Sequence, residues 1–216
     1  MLRTTFLATL LLAFLTACQV SSLTSNFFDI PSGAVLFQDD FTDPSSGWEN
    51  ITYDKFGTLD YFDGYYRIQV LGEQQMLWAG PGMNFTDVRL GADTIKVIGS
   101  TDDIFGLVCR ATDRDNFYFF VISSDGYYGI GKMIDGLQSM IDKRGMLPNE
   151  VISQGMTGNH LRADCIGEDL EFSVNGQMLA RVKDFDLTNG DVGLLAGNLD
   201  TSENVVLFDN FSVINP

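Results

Sequence analysis

Histidine is almost missing from this 216-residue chain: His160 is the single one. No Cys-x-x-Cys pair is present either, so a zinc site built from His and Cys has no ligand set. Basic residues are few, 13 Lys+Arg against 29 Asp+Glu, for a net charge of −16. That balance excludes a nucleic-acid partner, because neutralising phosphates requires a basic surface. No Gly-x-Ser-x-Gly elbow occurs. With one histidine and no activated nucleophile in view, no Ser-His-Asp constellation can be drawn. The twelve-residue EF-hand loop is absent as well. No apolar run reaches the roughly 20 residues that span a bilayer as a helix. What the chain has in excess is acid, which favours solubility outside the cell and offers the oxygen ligands that calcium takes.

The first stretch, MLRTTFLATLLLAFLTACQV, places one cation, Arg3, before an apolar run from Phe6 to Leu15. This is the layout of a secretory signal, a positive segment followed by a short apolar one. Leu15-Thr16-Ala17-Cys18 resembles the lipobox of bacterial lipoproteins, which implies cleavage before Cys18 and its lipidation. Residues 1–17 are therefore expected to be removed. The mature chain then loses Arg3 and carries 12 Lys+Arg against 29 Asp+Glu, a charge of −17. The expected location is the cell envelope, lipid-anchored and facing the extracytoplasmic side. Residues 18–33 are Ser-rich, include Pro31 and Gly33, and read as a tether. Residues 34–216 read as one domain.

Within that domain the pattern is period two. Runs such as DYFDGYYRIQV, IFGLVCRA, NFYFFVIS, DLEFSVNG and VVLFDNFSVI alternate, with Gly, Asp and Asn between them. Asn175-Gly176 between two alternating runs marks a tight hairpin, since both turn residues need positive φ. Asp125-Gly126 marks another. One helical piece is expected at Leu147 to Gln154, with Pro148 in its first turn. About a dozen strands curl or split rather than remain one open sheet. The predicted fold is all-β: two sheets packed face to face as a jelly-roll sandwich.

VLFQDDFTDPSSGW, NFYFFVISSDGYYGIGK, NHLRADCIGEDLEFSVNGQMLARV and DVGLLAGNLDTSENVVLFDNFSV resemble the concanavalin A-like, laminin-G-like jelly rolls. They are similar in particular to the bacterial secreted domains grouped with 3-keto-disaccharide hydrolases. The resemblance covers most of residues 35–214. It implies the fold; lectins, carbohydrate-binding modules and glycosidases share that fold, so it does not by itself imply an activity. Glycosidases of this kind carry a Glu-x-Asp-x-Glu strand with its carboxylates on one face. This chain has none. Asp169 and Glu171 share a face in GEDLEFSV, where a solvated outer surface accounts for them.

Three further groups stand out. Cys109 shares a strand face with Phe105 and Leu107, and Cys165 with Leu161 and Ala163. In an exported chain this pair favours a disulfide, the alternative being two buried thiols. If their strands are antiparallel neighbours, Arg110 faces Asp164 across them as an ion pair. Asp39, Asp40 and Asp209 sit near the two ends of the domain, which jelly rolls bring together. They are either carboxylate ligands of a structural calcium, as in similar modules, or turn caps facing water. Finally, in NFYFFVIS the two faces are Phe117, Phe119, Val121 and Tyr118, Phe120, Ile122, both apolar. Such a strand is internal, one face in the core and the other covered or lining a groove. Trp78, Tyr118, Tyr127 and Tyr128 have polar tips and suit a sugar's apolar face, with hydroxyls reaching Arg110, Arg162, Asp164 or Lys132. The alternative is that these rings fill the sandwich edge. The partner expected is a polysaccharide or cell-surface glycan. A hydrolase acting on glycosides or keto-disaccharides, and an envelope domain without small ligand, are the rival readings.

Overall fold

A computed structural model of the chain describes residues 30–199 and 203–216. The signal segment, Cys18 and most of the tether lie outside these residues. The period-two runs become strands in two antiparallel sheets. The nine-stranded sheet holds β1 (Val35–Asp39), β2 (Ile51–Tyr53), β3 (Gly57–Phe62), β4 (Tyr65–Val70), β6 (Val88–Ile98), β12 (Asn159–Ile166), β13 (Asp169–Val174), β14 (Gln177–Lys183) and β16 (Asn204–Ile214). The seven-stranded sheet holds β5 (Met76–Ala79), β7 (Ile104–Asp113), β8 (Asn116–Ser123), β9 (Tyr127–Ile134), β10 (Leu137–Met140), β11 (Leu147–Pro148) and β15 (Asp191–Gly197). The order in the first is β14-β13-β12-β6-β16-β4-β3-β2, with β1 also on β16. In the second it is β10-β9-β8-β7-β15-β5, with β11 on β9.

The expected all-β sandwich is what forms. Leu90, Ala163, Phe172 and Val206 from one sheet meet Leu107, Phe120 and Leu194 from the other in a single core. The chain ends pair as expected, Asp39 opposite Phe211. Beside them Phe41, Trp48, Tyr66 and Phe211 pack ring on ring at 5.0–5.4 Å between centroids. Asn175 and Gly176 both take positive φ, 50° and 82°, as a tight hairpin requires.

Two expectations are corrected. Leu147 to Gln154 is not a helix. Pro148 pairs with Tyr127 at the sheet edge, and the Asn149 side chain accepts the Val151 N–H at 3.0 Å, closing a turn. Asn captures a nearby N–H locally, in competition with a helix. The second correction concerns the cysteines. Cys109 and Cys165 are joined, but β7 and β12 lie in opposite sheets, so the disulfide crosses the sandwich. Arg110 and Asp164 therefore do not pair. β7 bulges after Cys109, Arg110 takes φ 53°, and its guanidinium turns to Asp87 and to the carbonyls of Thr86 and Leu187.

Candidate functional site

The outer face of the seven-stranded sheet is apolar, and that is unusual enough to locate the site. Trp78, Leu195, Gly106 and Val121 form a row across β5, β15, β7 and β8. Phe117, Phe119, Val108 and Ile104 share this face in a second core, with Met76, Met133, Met140 and Met146 packed against it. Glycines let these side chains lie flat. A Cβ on Gly131 would stand 2.1 Å from Cζ of Phe119, and one on Gly129 2.2 Å from Cε of Met140. The second face of NFYFFVIS is thus covered over most of its area, as one of its two expected fates.

The cover is incomplete around Trp78. A cavity of about 430 Å³ is lined there by Trp78, Phe117, Phe56 and Tyr53, with Gln75, Arg114 and Asp115 as its polar groups. The Arg114 guanidinium sits 4.7 Å from the centre of the Trp78 ring. It donates to the Trp78 carbonyl and to Glu49, which fixes it over the indole. The Trp78 side chain is nine-tenths buried, and its Nε1–H has no hydrogen-bond partner. A buried donor left unmade is costly, about 1–3 kcal/mol, and the packing of the second core carries that cost. A second cavity of about 280 Å³ shares Gln75 and Met76 with the first and runs on to Gln138, Ile104 and Leu199. Apolar rings with a few convergent polar groups are the usual lining of a ligand site.

Of the residues singled out from the sequence, Trp78 alone lines this groove. Tyr118 is fully buried within the sandwich; its hydroxyl donates to Asp184 at 2.6 Å and accepts the Leu187 N–H at 3.0 Å. Burial, and then the Asp184 bond, push its pKa far up. It presents no face for stacking. Tyr128 is half-buried and donates to the Leu179 carbonyl. Lys132 is held at 2.5 Å by both Asp184 and Asp186. Arg110 is buried in its bulge. Tyr127 is exposed, at the β11 edge. Tyr118, Tyr128, Lys132 and Arg110 are thus engaged within the sandwich or along its edge, and Tyr127 lies outside the lining of both cavities. Arg162 and Asp164 do face outward, but on the nine-stranded sheet, where Asp164 binds both Arg162 (2.6 Å) and Arg89 (2.9 Å). Burial raises the Asp164 pKa, and the hydrogen bonds and charges of the two arginines outweigh it and hold the pKa below the usual carboxylate range.

The three aspartates expected to meet a calcium each close a local turn. Asp39 accepts the Phe41 N–H at 2.8 Å and Ser46 Oγ, Asp40 accepts Thr42 N–H and Oγ1, and Asp209 accepts the Asn210 N–H at 2.7 Å. Among the described residues no group of three or more His, Cys, Asp or Glu is placed to hold a metal ion. Asp39 and Asp40 line one polar cavity with Gln38, Asn210 and Ser212, and Asp209 is not part of its lining.

Arg114, Phe56 and Met76 were missed in the sequence. Arg114 lies in the tight TDRDN turn between β7 and β8, and its position over a ring 36 residues away has no local signature. A faint one existed: it is a lone cation adjoining the most aromatic strand.

No protein-family model matches this chain, and no curated protein matches it. Solved structures do. The carbohydrate-binding module CBM66 from Bacillus subtilis superposes with a TM-score of 0.63 at 16% identity, over 78% of this chain and 95% of that one. A Bacillus subtilis protein of unknown function with a galectin-like fold gives 0.63 at 12%, over 86% and 97%. The catalytic domain of an endo-1,3-β-glucanase (laminarinase) from Thermotoga petrophila gives 0.56 at 8%, over 86% and 98%. At such identities the likeness is one of fold: the chain shares with them an all-β, two-sheet jelly-roll sandwich.

Proposed function

We propose that this protein is a lipid-anchored, extracytoplasmic domain that binds glycan in the groove over Trp78. The observation that carries the reading is the cavity at the Trp78 edge: an incompletely covered apolar face walled by Tyr53, Phe56 and Phe117, with Gln75, Asp115 and a fixed Arg114 guanidinium beside it. A pyranose presents an apolar CH face and a rim of hydroxyls, which these groups complement. The carbohydrate-binding and glycan-cleaving proteins of the same fold support the class of ligand. Cleavage by the two-carboxylate route needs a facing pair of acids. The Trp78 cavity presents Asp115 as the one carboxylate of its lining, which supports binding over hydrolysis.

Titration with soluble polysaccharides, followed by tryptophan fluorescence, tests this. The chain has two tryptophans, and Trp48 sits in the ring cluster at β1 and β16. Quenching is expected, and it should persist in Trp48→Phe and vanish in Trp78→Phe. A broad glycan array without a single hit would overturn the reading in favour of an envelope domain that acts by surface contact. The lipid anchor at Cys18 supports display of many copies on one surface, where individually weak sites add by avidity.

A further inference from the structure

We infer that the groove selects an uncharged glycan chain of several sugar rings, with Trp78 at one subsite and Gln138 at a second. This rests on the glycan reading above and adds to it the length and charge of the ligand. Length follows from the two cavities sharing one wall. Gln75 and Met76 line both, so a chain seated on Trp78 continues past Met76 toward Gln138 without leaving the protein surface. Neither cavity alone reaches the middle of the range for a small-molecule pocket, whereas the two in series do.

Charge follows from the polar lining. The second cavity offers the side-chain amides of Gln74, Gln75 and Gln138, which both donate and accept and so match hydroxyls. In the first, Arg114 is the cation of the lining, and Glu49 already neutralises it. Asp115 then leaves that end with an unbalanced negative charge. A uronate chain would meet this carboxylate without a compensating cation; a neutral chain brings hydroxyl donors to it.

The experiment is calorimetric titration of the whole mature protein with gluco- and xylo-oligosaccharides of one to six units, and with polygalacturonate as the acidic probe. Affinity is expected to rise at least about tenfold from one ring to four, about 1.4 kcal/mol, and to change little with added salt. Gln138 and Leu199 are exposed. Gln138→Ala and Leu199→Ala should keep the wild-type melting temperature, leave disaccharide binding intact and remove the gain from the longer chains. Equal affinity for one ring and four, no effect of either variant, or tighter binding of polygalacturonate would each overturn the inference while glycan binding itself stands. Failure of every probe to bind would instead strike the glycan reading, and this inference with it.

Discussion

Trp78 does two things at once, which shapes how it can be tested. Its ring packs on Phe117 at 5.8 Å between centroids, so it belongs to the second core. Trp78→Ala should therefore lose stability, roughly 3–5 kcal/mol for a buried aromatic, along with binding. Phe56 separates the two effects. It lines the same cavity but is 50% exposed. Phe56→Ala is expected to weaken retention on a polysaccharide column roughly tenfold and to shift stability by less than about 0.5 kcal/mol. A melting temperature that falls with the affinity would mark Phe56 as structural. At the same scale, Asp164 and Asp184 set the response to acid. For each, burial raises the pKa but hydrogen bonds, from Arg162 and Arg89 or from Lys132 and Tyr118, bring it below the usual carboxylate range. A depressed folded-state pKa contributes stability above the unfolded value that is lost as pH falls through the folded one. Asp191 has the opposite sign: burial raises its pKa despite three backbone N–H donors, so its cost eases as pH falls. Asp142 and Asp169, bonded to Arg144 and Arg181, are lowered as well, so the depressed carboxylates are the larger set. Thermal melts should show a decline below about pH 4, shallower in Asp164→Asn.

Among the elements, β9 carries a constraint that the groove depends on. Gly131 faces Phe119 in register, and the ring occupies the space a side chain there would take. Gly131→Ala is expected to cost roughly 1–3 kcal/mol by overpacking, lowering the melting temperature by about 2–4 °C per kcal/mol. It should also lift Phe119 and disturb the Phe117 contact at the groove. Gly158→Ala serves as the control, since its nearest neighbour would stand 3.8 Å away. Equal melting temperatures for the two variants would contradict the flat-ring packing.

At the scale of the whole molecule, the Cys109–Cys165 bridge ties the two sheets together across 56 residues of sequence. In the chain-entropy model a loop of that length contributes about 4 kcal/mol. The double Cys→Ala variant should melt lower by a corresponding margin, with its glycan binding retained at low temperature because the bridge lies in the core, away from the Trp78 cavity. Chelation of divalent ions is expected to leave the melting temperature of the wild type unchanged, since the three candidate carboxylates close separate turns. Cys18→Ser is expected to move the protein from the membrane fraction to the soluble one; a wild-type N-terminus found unlipidated by mass spectrometry in native membranes would reject the anchor.

The class of fold was legible from residues alone, because strand alternation and tight-turn chemistry are local. Asn175-Gly176 specifies its hairpin whatever surrounds it, and a strand apolar on both sides, as in NFYFFVIS, must be covered twice. The cysteines' shared apolar environment was local too. Which sheet each strand joins was not. β7 and β12 carry the same kind of alternation, and only the packing puts them in opposite sheets, which turned a supposed Arg110–Asp164 pair into two separate networks. The groove was least legible of all. Trp78, Phe56, Arg114 and Gln138 come from four distant stretches of chain, and of these Trp78 alone stood out in its own context. Whether an aromatic ring is core or platform depends on what lies over it. Tyr118 is closed off by Asp184 and Leu187 while Trp78 keeps an uncovered edge, and that difference arises only when residues far apart in sequence come to share one face.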